Sequence, residues 1–208
     1  MASPSDAPGK TLERVHAEID GCTVCAKFAR GFVKPMPLFR GPPSRLVIVG
    51  QEPGTTEATS GRAFSGQAGS RLDTWLAACG FDASNPRAQV YLTAAIKCPA
   101  PDTTYFTPML ARCRHFLHAQ LAAIESALII TLGAVAYREL AVTNEPFEQA
   151  LCRFIDTRRH MLISPTGFHY RLLPWPHPSG RNRWLNSSAN RAKLEATFPG
   201  VRAAMERS

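Results

Sequence analysis

Leu46-Val47-Ile48-Val49-Gly50-Gln51-Glu52-Pro53-Gly54 is the stretch that decides the fold. Its first four residues are apolar and mostly β-branched, without the polar alternation of a strand that has one wet face. Such a run suits a strand buried on both sides by helices. The strand ends at Gly50, and Pro53 and Gly54 turn the chain, leaving the carboxylate Glu52 just past the strand end. The same grammar recurs downstream. A polar, Gly-containing loop over Gln51–Gly69 leads to a helix over Ser70–Cys79, ended by Gly80. A strand is expected at Gln89–Thr93, a loop at Pro99–Pro108 and an amphipathic helix at Leu110–Ile124. A strand at Leu128–Leu132, ended by Gly133, precedes a helix at Ala134–Leu140. Arg171–Trp175 is the fourth strand candidate, and Asn190–Ala196 reads as the last helix. Upstream, residues 11–30 hold a short helix followed by Gly21-Cys22-Thr23-Val24-Cys25. Gly31–Ser44, with four Pro and two Gly, reads as an irregular loop. Strands alternating with helices predict an α/β fold with a parallel sheet. Its ligand crevice lies beyond the carboxyl ends of the strands. The loops at Gln51–Gly69, Lys97–Pro108 and Pro176–Asn186 all leave the sheet on that side.

The chain has 208 residues, 45% of them apolar, which suits one domain over 1–208 with residues 1–10 as a loose polar tail. No apolar run approaches the ~18 residues of a membrane span, and the first ten residues lack a signal-peptide core. A cytoplasmic monomer is expected. The net charge of +8 fits either a polyanion partner or an ordinary basic enzyme. Arg far outnumbers Lys, and several Arg flank Gly, Pro or aromatic residues late in the chain. Guanidinium groups fork onto phosphate and stack on bases, which tips the balance toward nucleic acid.

Six cysteines stand at 22, 25, 79, 98, 113 and 152. In a reducing compartment they are buried apolar groups or metal ligands rather than a disulfide framework. Cys79, beside Trp75-Leu76-Ala77-Ala78, and Cys152 read as apolar. Cys22 and Cys25 form a close pair, and Cys98 and Cys113 supply two more thiolates from afar. A four-cysteine site of this kind suits zinc or a 4Fe–4S cluster, and spacing alone does not choose between them.

Two loops carry candidate chemistry. In the first, Glu52 at the strand end can activate water, and Gly50, Pro53 and Gly54 let a ligand approach the backbone. The loop continues Gly61-Arg62-Ala63-Phe64-Ser65-Gly66-Gln67-Ala68-Gly69, where Phe64 has little core to join and makes a platform for a planar base. The last loop is His177-Pro178-Ser179-Gly180-Arg181-Asn182-Arg183-Trp184-Leu185-Asn186. His177 there can hydrogen-bond a developing anion, and the Arg, Trp and Leu after it can penetrate DNA as a base leaves the stack.

Taken together, the four cysteines, the GQEPG turn, the Gly61–Gly69 segment, Val90-Tyr91-Leu92-Thr93-Ala94-Ala95-Ile96-Lys97-Cys98 and the HPSG loop resemble the uracil-DNA glycosylase superfamily. The nearest likeness is to its iron–sulfur family 4 members, from about Cys22 to Asn186. The resemblance implies a three-layer α/β/α sandwich around a four-stranded parallel sheet. It favours iron over zinc, with Cys22, Cys25, Cys98 and Cys113 holding a 4Fe–4S cluster. It also implies that Phe64 stacks on an extruded base, that His177 stabilises charge growing on uracil O2, and that Glu57 stands against C5 and excludes a methyl group. Gln51 and Gly54 complete the base-binding set, with Asn182, Asn186 or backbone amides as the substitute readers of the base. Ser179, Gly180, Arg181 and Arg183 hold or wedge the DNA.

Two positions depart from the family 4 pattern. That pattern reads GEAPG with a catalytic Glu second; here Gln51 is second and Glu52 third, as in the GQDPY of family 1. Glu52 is therefore the expected acid, with Gln51 as the alternative holder of the water. The family also places Asn where this chain has Ala94, so a reader of uracil O4 and N3 is missing. The expected activity is monofunctional hydrolysis of uracil from single- or double-stranded DNA. Hypoxanthine or xanthine as substrate, and a non-catalytic nucleic-acid module stapled by metal, are the competing readings. A Schiff-base lyase step finds no Lys in either candidate loop.

Overall fold

A computed structural model describes residues 8–27, 44–157 and 170–206. The loop read at Gly31–Ser44 lies outside them apart from Ser44, as do residues 1–7 of the expected tail. The expected strands all form. β1 (Leu46–Gly50) pairs in parallel with β2 (Val90–Ala94) on one side and β3 (Leu128–Leu132) on the other. β3 pairs in parallel with Arg171–Trp175. A further strand corrects the expected count of four. Ile155–Asp156, here β4, runs antiparallel to Arg171–Trp175, here β5, giving a five-stranded sheet in the order β2-β1-β3-β5-β4. Two residues are too few to show a period in the sequence, and so short a strand leaves little edge to pair with another chain.

Helices cover both faces, as the unbroken apolar run of β1 requires. Leu46, Ile48, Leu92, Ile130, Leu173 and Trp175 face α3 (Gln67–Ala78), through Leu72, Trp75 and Leu76, and the C-terminal helices. Val47, Val49, Tyr91, Ile129 and Leu172 face α1 (Pro8–Asp20), α4 (Phe106–Ile124) and α5 (Ala134–Leu140), through Leu12, Leu117, Leu121 and Tyr137. Alternate residues of one strand thus serve two cores. Trp175 sits edge-on to Trp75 and Phe198 and donates its indole N–H to Thr197 Oγ1 at 3.0 Å.

The helices depart from expectation at several places, and α3 and α4 begin early, at Gln67 and Phe106, inside stretches expected to be loop. α1 begins at Pro8, inside the stretch expected to be tail, since proline is well placed in a first helical turn. α2 (Thr55–Ser60) forms within the loop expected at Gln51–Gly69. Its first turn carries Glu57, which complements the helix N-terminus, and Gly61 ends it at φ 68°. A four-residue turn, α6 (Phe147–Ala150), precedes β4. Beyond α7 (Ser188–Glu195), the expected last helix, α8 (Phe198–Glu206) continues the chain. Pro199 and Gly200 look like breakers, but a proline in the first turn removes no needed donor, and Phe198, Val201 and Ala204 are buried together. No helix among the described residues is long and apolar enough to cross a membrane.

The chain leaves β1 toward β2 and later returns to place β3 on the other flank. That reversal opens a crevice at the carboxyl ends of β1 and β3.

Candidate active site

A cavity of about 930 Å³ occupies this crevice, large enough for a nucleoside and a water. Gln51, Glu52 and Gly54 reach it from the end of β1, and Glu57 from α2. Phe64 enters from the glycine-rich segment, and His177, Ser179, Gly180 and Arg181 from the loop after β5. Thr103 and Phe106 form a further wall at the start of α4.

Glu52 is half-buried, and its Oε2 accepts the backbone N–H of Ala100 at 3.1 Å. Burial raises its carboxyl to about 7, against the opposing pull of the Ala100 bond and a bond from the Gln51 side chain. Near neutral pH it therefore exchanges a proton readily, as a general acid–base group must. Glu57 Oε1 accepts the N–H of Ser65 at 2.8 Å, tying α2 to the glycine-rich segment. Its other oxygen would stand only 2.5 Å from a Cβ at Gly54, so glycine there makes room for the carboxylate.

His177 lies two residues beyond the end of β5. Burial lowers its pKa, with Glu57 pulling the other way. Its Nδ1 accepts the N–H of Ser179 at 3.2 Å. A neutral imidazole that accepts at Nδ1 carries its proton on Nε2, leaving that N–H to serve as a donor. The ring lies against Gly133 at the end of β3, where a Cβ would come within 3.3 Å of His177 Cβ. Arg71 of α3 steadies the loop, donating to Pro178 O at 3.1 Å and Ser179 O at 3.3 Å.

Phe64 takes a left-handed backbone, φ 49°, unusual for an aromatic residue and costing roughly 1–2 kcal/mol. Its ring reaches over the end of β1, where a Cβ on Gly50 would lie 3.0 Å from Phe64 Cζ.

A cysteine cluster packs against Phe106, one wall of the cavity. Cys25, Cys98 and Cys113 are buried together with Ile96 and Met109, and Cys22 packs nearby against Val15, Ile19 and Phe116. Burial pushes Cys25, Cys98 and Cys113 up, and the neighbouring thiols push them further. Thiols that oppose one another's ionisation in this way suit a cationic centre that would relieve the repulsion. Cys113 Sγ accepts the backbone N–H of Lys97. The Lys97 ammonium is fully buried and lowered to about 7 by burial. It donates to Ala94 O at 2.5 Å, Gln120 Oε1 at 2.6 Å and Thr93 Oγ1 at 2.9 Å. Among the described residues no three Cys, His, Asp or Glu converge on a position for one metal ion. All six cysteines are free thiols.

The model of the uracil DNA glycosylase superfamily matches residues 38–198. The chain belongs to the uracil DNA glycosylase superfamily. Three similar proteins bear the name type-4 uracil-DNA glycosylase. The one from Thermotoga maritima is 39% identical over 94 residues, 45% of this chain and 47% of its own. The one from Archaeoglobus fulgidus is 32% identical over 130 residues, 61% and 62% of the two chains. The one from Pyrobaculum aerophilum is 29% identical over 132 residues, 62% and 64%. The matching stretches thus span about half to two thirds of these relatives.

In this superfamily member the expected residues Gln51, Glu52, Gly54, Glu57, Phe64, His177, Ser179, Gly180 and Arg181 all line one cavity. Asn182 is placed differently. Its Nδ2 donates to His177 O at 2.9 Å and its Oδ1 accepts from Trp184 N at 3.1 Å, so the amide helps to shape the loop. It borders a separate hollow of about 320 Å³. Arg183 is exposed at the start of a short 3-10 turn, Arg183–Asn186. Sequence reasoning missed Thr103 and Phe106, although they fall in a loop expected at a strand end. It also missed Arg71 and Arg87, whose partners lie far along the chain.

Proposed function

We propose that this protein removes uracil from DNA by hydrolysing the N-glycosidic bond, leaving an abasic site. The observation that carries the reading is the convergence of Glu52, His177, Glu57 and Phe64 on one cavity at the strand ends. Phe64 stacks on the extruded base, and Glu57 stands where a C5 methyl would go. As the glycosidic bond breaks, its electron pair leaves with the base, and the Nε2–H of His177 donates to the anion forming on O2. Glu52, as carboxylate, favours the positive sugar, orients water toward C1′ and takes its proton. Gln51 holds Glu52 or the water. The Ser179 hydroxyl and the Gly180 backbone amide are offered to phosphate, while Arg181 and Arg183 supply cationic contact to the strand.

Cys22, Cys25, Cys98 and Cys113 would hold a 4Fe–4S cluster; three of these thiols, Cys25, Cys98 and Cys113, are buried together, which suits it. Bound there, it supplies structural bracing and no electrons, since hydrolysis moves none. Free thiols are what a reducing compartment maintains, and a cytoplasmic monomer acting on DNA is part of the proposal.

A second reading concerns the base. Ala94 is fully buried in the core on the α3 side, so position 94 offers the base no amide. The alternative substrate is a deaminated purine, hypoxanthine or xanthine. Incubating the protein with oligonucleotides carrying one uracil, hypoxanthine or xanthine, then cleaving with alkali, tests both readings. Strand scission at uracil supports the first and scission only at a purine the second. No scission with any of the three rejects a glycosylase.

A further inference from the structure

We infer that Arg87 is a positioning residue for base stacking, a clamp that holds the backbone of Phe64 in the conformation that carries its ring to the cavity. The inference rests on the glycosylase reading of that cavity. Arg87 lies just before β2, outside every loop that touches the cavity. Its guanidinium is largely buried, with 23% of the side chain exposed. Two nitrogens grip Asp73 of α3, Nε to Oδ1 at 2.5 Å and Nη2 to Oδ2 at 2.8 Å. The opposite side grips the glycine-rich segment, Nη1 to Ala63 O at 2.6 Å and Nη2 to Phe64 O at 3.0 Å. One planar cation therefore joins a rigid helix to two consecutive carbonyls. Fixing the planes of two peptide units around Phe64 is what a left-handed residue needs in order to persist, because the surrounding contacts must over-determine it.

The packing is equally close on the far side. Gly69 sits so near the Phe64 carbonyl that a Cβ would overlap its oxygen and come within 2.8 Å of Arg87 Nη2. Phe64 O is thus pinned between α3 and Arg87. Lysine cannot reproduce this arrangement, since a single ammonium has no fork to span a carboxylate and two carbonyls.

The test separates positioning from general stability. Arg87→Lys, Arg87→Ala and Asp73→Asn are compared with Phe64→Ala, singly and combined. Melting temperatures and hydrogen exchange of the peptide spanning 61–69 accompany single-turnover kinetics on a uracil oligonucleotide. Arg87→Ala should lower the rate ~10²-fold and Arg87→Lys ~10-fold, as expected when a reacting group is misplaced by about an ångström. Exchange in 61–69 should quicken in both. In the Phe64→Ala background the Arg87 substitutions should add less than about threefold, because both act through one ring. Additive losses, or unchanged exchange in 61–69, overturn the inference. If Arg87→Ala does not fold, Arg87→Lys and Asp73→Asn carry the same comparison. If the wild-type protein excises nothing, the glycosylase reading fails, and the exchange measurement alone decides whether Arg87 holds Phe64.

Discussion

Glu52 Oε2 accepts the backbone N–H of Ala100 at 3.1 Å, so the acid at the end of β1 is held by the segment between Cys98 and Cys113. The same segment supplies Thr103 and Phe106 to the cavity wall. One short stretch of chain thus carries two of the cysteines and the amide that holds the acid.

Glu52→Gln should lower turnover ~10²–10⁴-fold, the range for losing a positioned acid–base group. The wild-type rate should rise with pH through about 7 as Glu52 ionises. His177 is already neutral there, its pKa being lowered. In Glu52→Gln that limb should vanish. A pH–rate profile checks both; an unchanged rate in the variant removes Glu52 from the mechanism.

Glu52 should also cost stability at neutral pH. Its folded pKa is raised from 4.5 to about 7, so between these values the native state binds more protons than the unfolded chain. Stability then falls as pH rises across that window. The melting temperature of Glu52→Gln should exceed wild type at pH 8, with the gap closing toward pH 4.5. Thermal melts at several pH values measure this, and a gap that widens on acidification contradicts it.

His177→Ala should lower kcat ~10²–10³-fold with little change in KM, since the Nε2–H acts on charge that develops only as the bond breaks. Single-turnover rates against substrate concentration separate the two constants. A loss confined to KM would reassign His177 to ground-state binding.

Gly54→Ala and Gly69→Ala should differ in kind. The new Cβ at position 54 meets the flexible end of Glu57. The protein should stay folded while discrimination between uracil and thymine drops about tenfold, the worth of a methyl in a pocket. At position 69 the Cβ meets backbone, and the cost should reach about 1–3 kcal/mol or more. Melting curves and paired uracil and thymine substrates distinguish the two.

Replacing Cys98 by Ser, or stripping metal with a chelator, should abolish any visible charge-transfer band and speed exchange at the Ala100 amide, whose partner is Glu52. Absorbance and hydrogen exchange read this without an activity assay. Undisturbed exchange at Ala100 in metal-free protein would separate the centre from the acid.

The sheet could be read in the sequence because its strands are buried on both faces and announce themselves as unbroken apolar runs. β1 and β3 match their expected positions closely. β4, α2 and α8 could not be read so, being too short or interrupted by Pro and Gly. The same contrast holds in the site. Glu52, Phe64 and His177 stood out because each sits oddly in a Gly- or Pro-rich loop after a strand. Arg87 did not: its partners Asp73 and Ala63 lie 14 and 24 residues away, and no local pattern encodes that meeting. Nor does a local pattern show that the Asn182 amide also serves the backbone of its own loop.

If the thiols behind Ala100 carry iron and sulfide as proposed, translation alone does not yield a competent enzyme. A cell starved of either element would hold the full-length polypeptide with its acid unbraced. If uracil excision is its task, as also proposed, that repair would then follow nutrient supply with no change in gene expression.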